Sequence, residues 1–335
     1  MKRYVGLERW KYLFNDWSIF PKWTIRRIAF VGILIAISVV IFTVFASFIP
    51  LITIPSYKIS FIGLPIKISG FIFGPLVGAI VGLISDIISF SIFPTFYNVY
   101  YTLAAVVNGV VSGVVGLLFV KFFKYVFGGQ FIESIYVSKI YYLNKKLIKI
   151  KSNNPESKKI KQLQNRIIQL GEKRKMNSMM NSPKHLLNIN LITSIILLST
   201  ICLAIFIIVM YKVDDQIIKN KSIIPNKIAL IATMESGYLL MILFLIIARF
   251  KIRPKRFLVI VPIVVFSAFI ESINVPILSL ADSKIASGSS ESIITFMFQH
   301  IVLSPVKIWA NMFIIYFTYS IIAPLVNKNN EIVYN

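Results

Sequence analysis

The stretch YKISFIGLPIKISGFIFGPLVGAIVGLISDIISFSIFP, residues 57–94, decides how the chain is read. Its latter segment, 72–93, is long and apolar enough to cross a bilayer, which takes about 20 mostly apolar residues. Its leading segment, 57–70, is shorter and punctuated by Lys58, Pro65 and Lys67. We read that segment as a short span of its own, because an odd number of spans would spoil the charge pattern described below. Gly74, Gly78 and Gly82 lie four apart on one helix face and form a bare strip that lets another backbone approach closely. Asp86 follows in the same span, where a carboxylate is costly unless it faces a partner or a cavity.

Working outward, comparable apolar runs recur at 28–49, 101–120, 189–211, 228–248, 257–275 and 297–325, giving eight spans in all. The bulk composition agrees. Of the 335 residues 57% are hydrophobic and only 15% charged, and mean hydropathy is +0.78, whereas a soluble chain carries about a quarter charged residues. The expected fold class is therefore all-α, a polytopic membrane protein. The charged lead-in before the first span is long, and no small-residue cleavage pattern closes the span at Pro50, so it is expected to be retained.

The net charge of +23 is distributed by position. With both termini cytoplasmic, inside segments hold 28 of the 36 Lys and Arg, fifteen of them in 121–187, as the positive-inside rule requires. Charge confined to membrane flanks argues against nucleic acid as a partner. The expected location is the cell membrane, multi-pass, with the organisation 1–27 basic N-terminus, 28–120 four spans, 121–188 cytoplasmic insertion, 189–250 two further spans, 251–325 two last spans and 326–335 tail.

The insertion reads as an antiparallel helical hairpin. Tyr136, Ile140, Leu143, Leu147 and Ile150 step by four and three, as do Ile160, Leu163, Ile167 and Leu170. Between them, Asn153-Asn154-Pro155 reads as a turn with an Asn cap and a proline at the first helical position, and Gly171 as a stop. A lysine-rich outer surface could meet a partner or anionic lipid, or be a solvated spacer.

Polar residues within spans point to function. In the assigned topology Asp86, Asn108, Glu235, Glu271, Asn274, His300 and Lys307 fall in the outer half, with Asn311 just below. Glycines at 109, 113 and 116 give the fourth span its own bare strip. The loop 93–101 adds Tyr97, Asn98 and Tyr101 as aromatic and amide groups able to stack on or close over a ring. Such a set suits an externally open pocket for a polar small molecule; the competing reading is interfacial aromatics with internal ion pairs such as Asp86–Lys307. Lys67 reads as a snorkelling lysine and Cys202 as a small apolar residue. Phosphate-loop, zinc-protease and serine-hydrolase motifs are absent from the sequence, and neither a cofactor nor a metal is expected. An intramembrane enzyme would need Glu235, Glu271 and His300 to meet.

The run 57–94 closely resembles the second and third helices of the substrate-binding S components of energy-coupling factor (ECF) vitamin transporters. The pattern I-S-F-x-x-L-P, then G-x-x-F-G-P-x-x-G-x-x-x-G-x-x-x-D, falls on Ile59, Ser60, Phe61, Leu64, Pro65, Gly70, Phe73, Gly74, Pro75, Gly78, Gly82 and Asp86. TLAAVVNGVVSGVVG, 102–116, resembles the fourth helix. The closing Asp is similar to the folate branch, the riboflavin branch having Lys-Asn there; the following loop departs, reading Asn-Val-Tyr-Tyr-Thr over 98–102 where the folate branch tends to have Pro-Gly-Phe-Thr. The resemblance covers about residues 25–120 and implies six core helices, so that 122–250 is an insertion and 257–325 supplies the last two. It further implies capture of a vitamin, folate or a related compound, on the outer side. Inward delivery would follow by toppling, after docking on a transmembrane coupling subunit that carries two ATPase subunits. The family docks through a small-residue strip on its first helix, the place held here by Gly32 and Ala36. The alternative from another class is a membrane scaffold acting through the basic hairpin.

Overall fold

A computed structural model describes residue 23 and residues 25–48, 55–92, 98–156, 158–180, 183–212, 226–285 and 293–331. Regular structure in these residues is helical throughout. In chain order the helices are α1 (Ile25–Phe48), α2 (Pro55–Phe73), α3 (Pro75–Ile92), α4 (Val99–Phe127), α5 (Gln130–Asn153), α6 (Lys158–Met180), α7 (Pro183–Lys212), α8 (Lys227–Lys251), α9 (Pro254–Ile285) and α10 (Ile293–Glu331). All but α5 and α6 correspond to the eight expected spans. Six of them, α3, α4 and α7–α10, are long and apolar enough to cross a membrane; Ile28–Val44 and Gly63–Phe73 are shorter apolar stretches of α1 and α2. Helices suit this setting because each satisfies its own backbone polar groups where water is excluded.

A single residue separates α2 from α3. Gly74 has φ +103°, a conformation side chains resist, and Pro75 follows at the first position of α3, where a missing N–H costs nothing. The chain therefore doubles back within one residue and sets α2 beside α3. Gly78 and Gly109 then meet backbone to backbone: a Cβ on Gly78 would lie 2.7 Å from the Gly109 carbonyl carbon and 2.7 Å from the Gly70 Cα. Gly82 faces the Ala105 backbone, and Gly113 faces Gly74 and Pro75. The glycine strips of the third and fourth spans thus serve packing inside the molecule, and they draw α2, α3 and α4 into one tight junction.

The same junction stacks against α9 and α10, with α1 covering α2 and α3. α9 is the most enclosed: 72% of its most apolar window is buried inside the protein, against 28% for α7. α7 and α8 pack on each other and on the outside of α9 and α10. Both proline pairs, Pro262/Pro276 in α9 and Pro305/Pro324 in α10, lie within continuous helix. Neighbouring helices in a membrane re-satisfy backbone groups that a proline frees, so these residues do not end the helix as they would in water. The expected end of the seventh span near Val275 is corrected accordingly: α9 runs ten residues further, to Ile285.

α5 and α6 form the expected hairpin. The seam residues named above are half-buried while most of their neighbours are exposed, and Arg174 pairs with Glu133 across it at 2.6 Å. Two details differ. Gly171 does not stop α6, which continues to Met180, and Pro155 lies in the turn, not in the first helical turn. Asn154, extended at φ −152°, ends α5 instead.

Candidate functional site

Four helices each carry a polar stripe on the face turned inward. On α4, Tyr101 and Asn108 are seven apart and share a face; Thr102 and Gly109 mark the next face, turned by about 100°. On α9, Glu271, Asn274, Leu278 and Asp282 keep helical spacing, as do His300, Ser304, Lys307 and Asn311 on α10. α2 contributes Gly63 and Lys67. Because α3 ends, α4 begins, α9 ends and α10 begins at the same end of the bundle, these stripes converge there.

Nearest that end, Asn98 caps α4. Its side-chain oxygen accepts from Tyr100 N at 3.1 Å, while its Nδ2 donates to Ala281 O at 3.2 Å and ties α4 to α9. The Tyr101 hydroxyl donates to Asp282 Oδ1 at 2.5 Å, and Asp282 Oδ2 lies 2.9 Å from His300 Nε2. Lys284 Nζ sits 4.8 Å over the Tyr100 ring, a cation–π contact. His300 is only 1% exposed, with its Nδ1 3.5 Å from Lys307 Nζ. An ammonium can only donate, so Nδ1 is the acceptor of that pair and Nε2–H donates to Asp282.

Deeper in, Glu271 lies within electrostatic reach of Lys307, Lys67 and His300. Lys67 is 2% exposed and feels Glu271 and Lys307. This corrects its reading as a snorkelling lysine: α2 packs across α4, so the side chain points into the bundle and finds a carboxylate there. Two carboxylates, two ammonium groups and an imidazole are thereby held together out of water. Such a group is tolerable only as a mutually compensating set, since removing charges from water costs several kcal/mol each.

Beside this set, Asn274 Nδ2 donates to Asn108 Oδ1 at 2.8 Å. The pair leaves Asn108 Nδ2 and Asn274 Oδ1 buried with no partner. Exchanging N and O in both amides gives the same result, one free donor and one free acceptor side by side. Gly63 faces this spot; a Cβ there would come 3.1 Å from Asn108 Nδ2. Native interiors rarely leave such groups orphaned, so two on one amide pair make this the candidate contact point for a molecule with a complementary edge.

Of the expected site residues, Asn98, Tyr101, Asn108, Glu271, Asn274, His300 and Lys307 are brought together. Asn311, 5% exposed, continues their stripe one turn further along α10. Asp86 stands apart on the α3–α4 face, where it accepts from the Thr102 hydroxyl at 2.6 Å and not from Lys307. Glu235 is also elsewhere: half-buried on α8, it acts on Cys202 of α7 and is not among the groups acting on Glu271. The three-residue enzyme centre does not assemble. Tyr97 lies outside the described residues. Asp282 was missed because the span was ended near Val275; its four-residue spacing from Leu278 was the available signal.

The fold is that of a multi-helix membrane protein with a buried polar group between four of its helices. Residues 22–145, a little over a third of the chain, match the family model of the ECF-type riboflavin transporter, S component. Over this segment the chain is similar to an S component, a membrane subunit of an energy-coupling factor transporter. No curated protein and no solved structure matches the chain. The matched segment contains α1 to α4 and the first two thirds of α5; Asn108 lies within it, and Glu271, Asn274, Asp282, His300 and Lys307 lie beyond it.

Proposed function

We propose that the chain captures a vitamin with a flat heteroaromatic ring between α2, α4, α9 and α10 on the outer side, and delivers it inward with a coupling subunit and two ATPase subunits supplied by other chains. The observation that carries this reading is the Asn108–Asn274 pair, whose unused donor and acceptor fit a ring edge presenting an N–H beside a carbonyl. The pteridine of folate and the isoalloxazine of riboflavin both present one; the motif form favours the first and the name of the matching family the second. Asn98, Tyr101, Glu271, His300, Lys307 and Asn311 complete or support the site. Residues 121–188 and 189–250 are an insertion between four core helices and the last two, in keeping with α7 and α8 packing outside α9 and α10. Both termini face the cytoplasm.

Purified protein titrated with a vitamin panel, read by tryptophan fluorescence, tests the site. We expect saturable binding of a pteridine or isoalloxazine compound, weakened about tenfold in Asn108→Leu and in Asn274→Leu, the loss of a buried hydrogen-bonded contact. Saturable binding that is unaffected by either substitution would move the site elsewhere; no binding by any panel member would remove the reading.

Docking rests on α1. Gly32 and Ala36 share an exposed face, and nothing lies within 4 Å of a Cβ placed on Gly32. This bare strip would accept a helix of the coupling subunit. Gly32→Leu and Ala36→Leu should leave ligand binding unchanged and abolish co-purification with that subunit; intact co-purification would show that the partner docks on another face.

A further inference from the structure

The hairpin has two unlike sides. In a helix each residue is turned about 100° from the one before it. Residues that immediately follow a seam residue therefore share one side of an antiparallel pair, and those that precede it share the other. The following side carries Val137, Tyr141 and Ile148 from α5 and Ile168 from α6, with Lys151 and Lys161 among them. Tyr141 and Ile148 are 69% and 68% exposed and Ile168 59%, so this apolar stripe has no cover among the described residues. The preceding side carries Lys139, Lys146, Lys149, Lys159 and Arg166, with Ile135 half-buried and Tyr142 47% exposed among them, so it is basic where the other side is mainly apolar.

A second observation says which way the apolar side points. α5 does not prolong α4. Gly129, with φ +84°, turns the chain at the membrane end of α4, and α5 folds back so that Ser134 Oγ comes 3.4 Å from the Tyr125 hydroxyl and Phe131 meets the Tyr125 ring edge-on at 5.9 Å. Ser134, Tyr141 and Ile148 are seven apart and lie on one face. The face of α5 that folds against the end of the span is thus the one that bears the stripe.

We propose that the hairpin lies along the bilayer surface, with Val137, Tyr141, Ile148 and Ile168 in the interfacial layer and Lys151 and Lys161 on anionic lipid headgroups. An amphipathic element with an exposed apolar stripe, flanked by lysines and carrying a strongly basic remainder, has the composition of one that binds in the plane of an anionic interface. The apolar stripe excludes the alternative of a plain solvated spacer, and its charge selects anionic over neutral lipid.

The test uses the full chain in nanodiscs. In a Cys202→Ala background, Ile148→Cys and Lys146→Cys carry an environment-sensitive fluorophore on opposite sides of α5. With phosphatidylglycerol present, a quencher attached to lipid chains should quench the label at 148 and leave that at 146 to aqueous quenchers. Replacing Lys151 and Lys161 by Gln should weaken the lipid quenching at 148 about fivefold for each lysine that meets the anionic surface, with hairpin helicity retained. Equal quenching at both positions, or none at 148, would overturn the proposal. So would protection of 148 from aqueous and lipid quenchers alike, which would place a protein or nucleic acid on the stripe. Quenching equal in all-phosphatidylcholine nanodiscs would overturn the headgroup contact.

Discussion

Gly78→Val is expected to abolish the folded protein. At that position α3 touches α2 and α4 at once, and a Cβ would sit 2.7 Å from backbone atoms of both Gly70 and Gly109. A side chain that meets the end of a flexible neighbour can be accommodated by a rotamer change. One that meets backbone forces helices apart, and here a single methine would open both interfaces. Overpacking typically costs about 1–3 kcal/mol, more where nothing can move; separation of the α2–α3–α4 junction should exceed the upper figure. The measurement is monodispersity and thermal unfolding in detergent, with Gly32→Val as control, since that position opens onto free space. Gly78→Val protein that is monodisperse and as heat-stable as the unsubstituted chain would show that these helices do not pack as described.

The second large effect belongs to the buried charges. Glu271→Leu should destabilise by about 3–5 kcal/mol, because it leaves the Lys67 and Lys307 ammonium groups confined with less compensating charge. Lys67→Met should cost a comparable amount, for the converse reason: Lys67 is one of the groups that compensate Glu271. The double variant Glu271→Leu, Lys67→Met removes one charge of each sign and should recover a substantial share of the loss, since well-packed apolar replacements of a buried ion pair are often neutral. Thermal melts of the four proteins give the coupling between the two sites. Strict additivity would mean that Lys67 and Glu271 do not compensate one another.

Much of this architecture is legible in the chain. The eight apolar runs are all helices, because a run of that length and composition has no alternative in hydrocarbon. The glycine strips could be read because a spacing of four residues fixes a helix face whatever the helix packs against. The hairpin seam was legible for the same reason. Misreadings cluster where the neighbour decides the outcome. The seventh apolar run reads as ending near Val275, yet α9 continues through Pro276 to Ile285, and Asp282 was lost with the residues beyond. Lys67 has enough methylenes to reach an interface, and only the placement of Glu271 on a helix two hundred residues away turns it inward. Glu235 reads, like Glu271, as an outer-half carboxylate, and it faces a different neighbour.

The sequence by itself determined the all-helical membrane class, the places of the apolar helices and the surfaces on which α2, α3 and α4 close together, since these depend on local composition and on periodicities of three, four and seven. Only the tertiary structure decided which polar residues share a site. Rotation of each helix about its own axis is set by all its neighbours together, and that rotation joined Asn108 to Asn274 and Asp282 to His300 while sending Asp86 to Thr102 and Glu235 toward Cys202.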